Sequence, residues 1–94
     1  MAQPLSHDEI SEALEFLNGW ELGDDKIKKK FEFNNFSEAL GFIVRLGLEA
    51  EKQVHHPGIY NVYNTVKIEL STHDAGNKVT QKDVDLAQAI ESVL

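Results

Sequence analysis

Apolar residues recur at intervals of three and four near both ends of the chain, the spacing of an amphipathic helix. Near the start, Ser6-His7-Asp8-Glu9 has the pattern of a capping box, and Asn18-Gly19 is a stop signal after the apolar positions. Near the end, Thr80 and Asp83 have the same spacing as Ser6 and Glu9, ahead of a second apolar series. The pattern therefore predicts one helix at each end of the chain.

A longer helix is predicted in the middle of the chain. Asn35 stands where a helix cap is expected, and the helix must end before Pro57, because proline disfavours helical backbone in the residue before it. Intervals of three and four predict the side of this helix that faces the core. That side is formed by Phe36, Leu40, Ile43, Gly47, Ala50 and Val54.

Period-two alternation predicts the strands. Trp20-Glu21-Leu22 and a second strand with Ile27, Lys29, Phe31 and Phe33 on one face flank the turn Gly23-Asp24-Asp25. One long half-buried strand is predicted from Tyr60 to about Thr72, with another around His55–Ile59. We therefore predict one α+β domain over residues 1–94. Three helices cover one face of an antiparallel sheet of about four strands, in the order α-β-β-α-β-β-α.

Composition narrows the possible functions. Nine basic and sixteen acidic residues give a formal charge of −7, which opposes nucleic-acid binding. The one basic run, Lys26 to Lys30, fits the solvated face of a strand. The absence of cysteine removes disulfides and thiolate metal sites. With no signal-peptide pattern and no membrane-spanning run, we expect a cytoplasmic protein without a membrane partner.

Three of the four histidines lie between positions 55 and 73, and such a cluster is typical of proton-transfer sites. His55 and His56 are neighbours in a segment expected to be extended, so their rings should point to opposite sides. Any one of these histidines alone would more often be an ordinary hydrogen-bonded residue. A metal site is a rival interpretation, although the helical His-x-x-x-His spacing is missing.

Two acidic residues accompany the histidines. Asp83 has a simpler explanation as the third residue of a capped helix, and that role also holds its carboxylate in a fixed place. Glu51 is disfavoured by the dipole near the carboxyl end of its helix, so it is expected to have a local partner, one of the histidines or solvent.

The spacing of these residues resembles the signature of the pterin-4a-carbinolamine dehydratase family. The signature consists of Glu51, His55-His56-Pro57, Tyr63, His73 and Asp83. Further stretches are also similar to that family, namely Gly19-Trp20, Phe31 to Ala39, Asn61 to Asn64, Leu70 to Asp74 and Lys82 to Ala87. The resemblance covers essentially the whole chain.

The resemblance implies a hydro-lyase that removes water from 4a-hydroxytetrahydropterin to give quinonoid dihydropterin. This reaction recycles the cofactor of aromatic amino-acid hydroxylases. The resemblance further implies a homodimer or homotetramer and no metal or organic cofactor. By position, the catalytic residues would be His55, His56, His73 and Asp83. The pterin-binding residues would be Glu51, His55, His56, Pro57, Tyr63, Thr72 and His73.

The sequence leaves several points open. Either His55 or His73 fits the acid, with the other as the base. The family commonly has an acidic residue and Trp where this chain has Gly58-Ile59, and a neutral pterin fits a site without Lys or Arg. One alternative is a different pterin substrate. Another is a non-catalytic dimerisation or coactivator module, which an exposed apolar face at Val84, Ile90 and Val93 would favour.

Overall fold

A computed structural model describes residues 2–94 and contains three α-helices and four β-strands. The order along the chain confirms the predicted α-β-β-α-β-β-α arrangement. The elements are α1 (His7–Leu14), β1 (Glu21–Gly23), β2 (Lys26–Glu32), α2 (Phe36–Gln53), β3 (Gly58–Val62), β4 (Thr65–Leu70) and α3 (Gln81–Ser92).

The four strands form one antiparallel sheet in the order β1-β2-β4-β3. Asp24 and Asp25 connect β1 to β2 and both have positive φ angles, the conformation of a tight two-residue hairpin turn. Side chains on one sheet face form the core with the helices, and three strand residues there are completely buried. These residues are Ile27, Val66 and Ile68. The predicted α+β class is therefore confirmed.

The predicted single strand from Tyr60 to Thr72 is wrong. A turn at Tyr63-Asn64 divides this segment into β3 and β4, and Val62 pairs with Thr65 across it. This turn lacks the glycine that usually marks a tight hairpin, and Tyr63 itself adopts a positive φ of 50°. Val62 also ends up on the exposed side, although it continues the spacing of the buried residues of β4.

The predicted core-facing side of α2 is also wrong. The buried residues of α2 are Ala39, Phe42, Leu46 and Ala50, and only Ala50 belongs to the predicted set. Phe36 and Leu40 are 46% and 47% exposed. The helix has two apolar stripes, and the sheet selects the one that carries Phe42. The ring of Phe42 lies 4.8 Å from that of Phe31 and 5.0 Å from that of Phe33.

The ends of the helices agree more closely with the sequence. Ser6 and Glu9 form the predicted capping box of α1, but this helix ends at Leu14, short of the expected stop at Asn18-Gly19. Asn35 caps α2 by accepting the backbone N–H of Glu38. Over residues 2–94, no helix is both long and apolar enough to cross a membrane.

Candidate active site

The candidate site lies where α2 ends, where β4 ends and where α3 begins. His55 and His56 directly follow α2, Thr72 and His73 follow β4, and Asp83 is in the first turn of α3. The fold therefore joins residues that lie up to 28 positions apart in the sequence.

A left-handed residue at the end of α2 directs His55 inward. Val54 has a φ of 52°, an uncommon conformation for a β-branched residue, and it occupies the cap position where glycine is usual. The backbone N–H of His55 then donates to the carbonyl oxygen of Ala50 at 3.1 Å. Strained residues of this kind cluster at functional sites, because the surrounding structure must hold them in place.

The imidazole of His55 is 8% exposed and meets a completely buried carboxylate. His55 Nε2 lies 2.6 Å from Asp83 Oδ1. The other carboxylate oxygen, Oδ2, accepts the Thr72 hydroxyl at 2.8 Å and the Thr80 backbone N–H at 2.9 Å. Asp83 is therefore a helix-capping residue and a partner of His55 at once, which answers the choice left open by the sequence.

The side chain of His56 has a different partner from that of His55. Its Nε2 lies 2.5 Å from Glu51 Oε1, and both side chains are largely exposed. This contact is the local partner expected for Glu51. The two adjacent imidazoles thus have different surroundings, one buried against Asp83 and the other at the surface.

His73 opens a short 3-10 turn, His73–Ala75, and its side chain is exposed. Its Nδ1 lies 3.1 Å from Asn77 Oδ1. Because an amide oxygen only accepts hydrogen bonds, this contact places a hydrogen on Nδ1. The residues between His73 and Lys78 curl so that the backbone N–H of Thr72 donates to the Lys78 carbonyl.

A cleft of about 220 Å³ joins these groups. Four predicted site residues line it, His55, His56, Thr72 and His73, together with Val54, Ser71, Asp74 and Lys82. Glu51, Pro57 and Tyr63 are not among its lining residues, and Tyr63 lies in the β3–β4 turn. Thr72 is 3% exposed and its hydroxyl already donates to Asp83. Contact of these four residues with a pterin stays a prediction.

The idea of a site without Lys or Arg is wrong, because Lys82 lines the cleft. The sequence places Lys82 only in a stretch similar to the family, although its position next to Asp83 at a helix start is a usable signal. The sequence does not indicate Thr80 and Asn77 as site residues. Thr80 is predicted only as a helix cap, and Asn77 contacts His73 only because of the conformation of the loop.

Two larger clefts, of about 310 Å³ and 300 Å³, lie on the solvent face of the sheet. Lysines of β2 and β4 line the first, and Gly58, Ile59 and Tyr60 contribute to the second. Neither contains a histidine or a buried ionisable pair, so the smaller cleft is the better candidate for proton-transfer chemistry. Residues 2–94 contain no group of three or more His, Cys, Asp or Glu side chains arranged to hold a metal ion.

Nearly the whole chain is similar to proteins of one known family. The family model for pterin 4 alpha carbinolamine dehydratase matches residues 3–93. The chain belongs to this family. Relatives named "Putative pterin-4-alpha-carbinolamine dehydratase" include one from Bradyrhizobium sp. (strain BTAi1), 50% identical over 99% of this chain and 95% of its own length. A relative from Opitutus terrae is 45% identical over 95% of this chain and 92% of its own length.

Solved structures of similar proteins confirm the fold of this dehydratase family member. A crystal structure described as a transcriptional coactivator/pterin dehydratase from Brucella melitensis superposes with a TM-score of 0.91. That protein is 39% identical, and the match covers 96% of this chain and 97% of the other. A pterin dehydratase-like protein identified as a RuBisCO assembly factor in the alpha-carboxysome has a TM-score of 0.67 at 20% identity. Its match covers 81% of this chain and 89% of that protein, and shows a shared fold.

Proposed function

We propose that this chain catalyses the dehydration of 4a-hydroxytetrahydropterin to quinonoid dihydropterin and water, as a hydro-lyase. Membership of the dehydratase family supports the reaction. The observation that carries the proposal is the buried pair of His55 and Asp83 beside a cleft that His73 also lines. Elimination of water needs a base for one proton and an acid for the leaving oxygen.

His55 is the proposed base. The Asp83 carboxylate accepts from Nε2, so the neutral ring carries its hydrogen there and keeps a lone pair on Nδ1. Within residues 2–94, Nδ1 of His55 has no hydrogen-bond partner. Every buried side-chain nitrogen or oxygen in these residues does have one. Nδ1 is therefore not fully enclosed, and because His55 lines the cleft, we assign Nδ1 to accept a substrate proton. Once the ring accepts that proton, the adjacent carboxylate stabilises the resulting imidazolium.

His73 is the proposed acid. Its Nδ1–H is held by Asn77, so in the protonated ring the Nε2–H is free to be donated. The side chain is exposed at the rim of the cleft, where it exchanges protons with solvent. His56 lines the same cleft and pairs with Glu51, and we assign it to substrate binding together with Lys82.

The reaction then proceeds with all protons accounted for. His73 protonates the 4a-hydroxyl, and the C4a–O bond breaks to release water. The nitrogen lone pair at N5 forms the C4a=N5 double bond, and His55 Nδ1 removes the N5 proton. Transfer of that proton from His55 to solvent, and of one from solvent to His73, restores the starting state. Quinonoid dihydropterin is the product to be reduced when an aromatic amino-acid hydroxylase cofactor is recycled.

The proposal is tested by stopped-flow absorbance of 4a-hydroxytetrahydropterin generated in situ, with and without catalytic amounts of the protein. We expect faster decay of the hydroxypterin and faster formation of the quinonoid product. Pterins that differ in the C6 side chain, assayed in parallel, identify the preferred substrate. Folded protein that accelerates none of them would overturn the proposal.

We further propose that the protein is a homodimer or homotetramer through the exposed apolar side of α2. Phe36, Leu40, Val44 and Leu48 recur every four residues on this side, the spacing of a ridge that packs against another helix. Gly47 lies near them, and a Cβ added there would meet nothing within 4 Å, so its helix-weakening effect has no compensation inside the chain. A second copy presents the same surface, and a two-fold axis makes the two surfaces complementary.

A second candidate function is a non-catalytic binding module. The description of the Brucella melitensis relative as a coactivator, together with the apolar side of α2, favours it. The exposed apolar face predicted for this role at Val84, Ile90 and Val93 is wrong, because Val84 and Ile90 are buried. A pure binding module has no need of the buried His55–Asp83 pair, so the dehydratase is the preferred function.

A further inference from the structure

The buried carboxylate of Asp83 is the end of a chain of hydrogen bonds that begins in the backbone of α3. The Lys82 backbone N–H donates to Thr80 Oγ1 at 3.2 Å. Thr80 Oγ1 lies 2.6 Å from Thr72 Oγ1, and Thr72 Oγ1 donates to Asp83 Oδ2 at 2.8 Å. Thr72 and Thr80 are 3% and 1% exposed, so water does not compete for these bonds.

The direction of every proton in this chain is fixed by elementary chemistry. A carboxylate only accepts, so the single hydroxyl hydrogen of Thr72 goes to Asp83. Thr72 then has only lone pairs left for Thr80, and the hydroxyl of Thr80 must donate to it. Thr80 Oγ1 in turn accepts from the backbone. Each hydrogen in this chain is therefore donated in the direction of Asp83 Oδ2. The other oxygen, Oδ1, is left to accept a hydrogen bond from His55.

We propose that Thr80 is a positioning residue of the active site, acting through Thr72 and Asp83 on the tautomer of His55. This inference rests on the proposed dehydratase function for its kinetic consequence, but its structural consequence is independent of any substrate. Without the Thr80 hydroxyl, Thr72 is free to rotate and Oδ2 loses a fixed donor. The Thr80 backbone N–H alone then holds Oδ2, so the carboxylate is oriented less firmly toward His55, and the Nδ1–H tautomer of His55 becomes populated.

A simple helix cap would not require this arrangement. Capping needs only the lone pair of Thr80 that accepts the Lys82 N–H, whereas the hydrogen donated to Thr72 adds nothing to the cap. Ser6 of α1 provides a matched comparison, because it forms the same kind of capping box with Glu9 but no bond to a second hydroxyl. A comparison of variants at Ser6 and Thr80 therefore distinguishes the effect of helix capping from the effect of positioning His55.

The experiment compares Thr80→Gly, Thr80→Ser and Ser6→Gly with the unchanged protein. Glycine is accepted at helix N-caps, so both glycine variants are expected to keep the start of their helix. The first readout is the ¹⁵N NMR spectrum of the four histidine rings at alkaline pH without substrate. The His55 signals are identified by their absence in His55→Gln. The second readout is kcat and KM for the hydroxypterin.

In the unchanged protein we expect neutral His55 to carry its hydrogen on Nε2. Thr80→Gly should give a mixture of tautomers and lower kcat about tenfold or more, the effect typical of groups that orient a functional histidine, with KM unchanged. Thr80→Ser should restore both readouts, and Ser6→Gly should move neither.

Three results would overturn the proposal. One is a neutral His55 that carries its hydrogen on Nδ1 in the unchanged protein. This test does not depend on whether Thr80→Gly folds. Another is a folded Thr80→Gly protein with the original tautomer. The third is a loss in Thr80→Ser as large as in Thr80→Gly. If the protein has no dehydratase activity, the NMR readout alone still decides the positioning role, so the two failures are distinguishable.

Discussion

His55 Nε2 and Asp83 Oδ1 lie 2.6 Å apart in a part of the molecule almost closed to water. The carboxylate is held from the other side by Thr72 and the backbone of Thr80, so it meets His55 in one orientation. Isolated buried carboxylates are costly, and this one is satisfied on both oxygens. The pair therefore fixes which nitrogen of His55 is available to a substrate.

Replacement of Asp83 by asparagine tests this relationship most directly. The amide oxygen of Asp83→Asn keeps the bonds from Thr72 and Thr80, so its NH₂ group faces His55. His55 must then accept at Nε2 and carry its hydrogen on Nδ1, the nitrogen proposed to take the substrate proton. We expect kcat to fall by about 10²–10⁴, the usual contribution of general acid–base catalysis. Stopped-flow kinetics on folded Asp83→Asn checks this, and near-normal turnover would show that the pair has no catalytic role.

The exposed position of His73 allows its chemical role to be separated from its structural one. His73→Ala removes no buried contact, so the midpoint of chemical denaturation should not change. The dehydration rate should fall by about 10²–10⁴ if His73 is the acid. His7→Ala is the matched control, because His7 is also exposed but lies in the first turn of α1. Equal rates for the two variants would exclude His73 as the acid.

Two phenylalanines of α2 test the side of the helix that faces the core. Phe42 is completely buried, whereas Phe36 is 46% exposed. Phe42→Ala should lower the free energy of unfolding by about 3–5 kcal/mol, a large part of the total of about 5–15 kcal/mol typical of proteins. Phe36→Ala should cost far less at protein concentrations where the chain is monomeric. Urea denaturation measures both, and a reversed order would mean that the originally predicted stripe is the buried one.

A charged residue introduced on the exposed apolar side of α2 tests the proposed oligomer. Leu48 is 65% exposed, so Leu48→Glu should leave the monomer folded. The same change should dissociate the proposed homodimer or homotetramer, because a carboxylate buried between two copies has no partner. Sedimentation velocity of both proteins over a range of concentrations provides the measurement.

Glu15→Gln is a suitable control, because Glu15 is an exposed residue just after α1. It should sediment like the unchanged protein. If the unchanged protein is already a monomer at every concentration, self-association through α2 is wrong.

The candidate site could be predicted in part, because its signature consists of residue types and short motifs that are visible in the sequence. The histidine cluster and the capping role of Asp83 follow from residue types and from the capping pattern that begins at Thr80, whereas the contact of Asp83 with His55 came from the structure. The bond between His73 and Asn77 and the lining by Lys82 were not predictable, because a curled loop and a helix start create them. Hydrogen bonds between side chains depend on backbone direction, which residue identity alone does not specify.

The sequence by itself determined the class of the fold, the helix starts at Ser6, Asn35 and Thr80, and the family, because capping and spacing are short-range properties. Only the tertiary structure decided which stripe of α2 is buried and where the β3–β4 hairpin turns. The first choice depends on packing of the helix on the sheet, such as Phe42 on Phe31, and the second on pairing between β3 and β4, such as Val62 with Thr65. The sequence offered two acceptable patterns in each case, and contacts between the elements selected one.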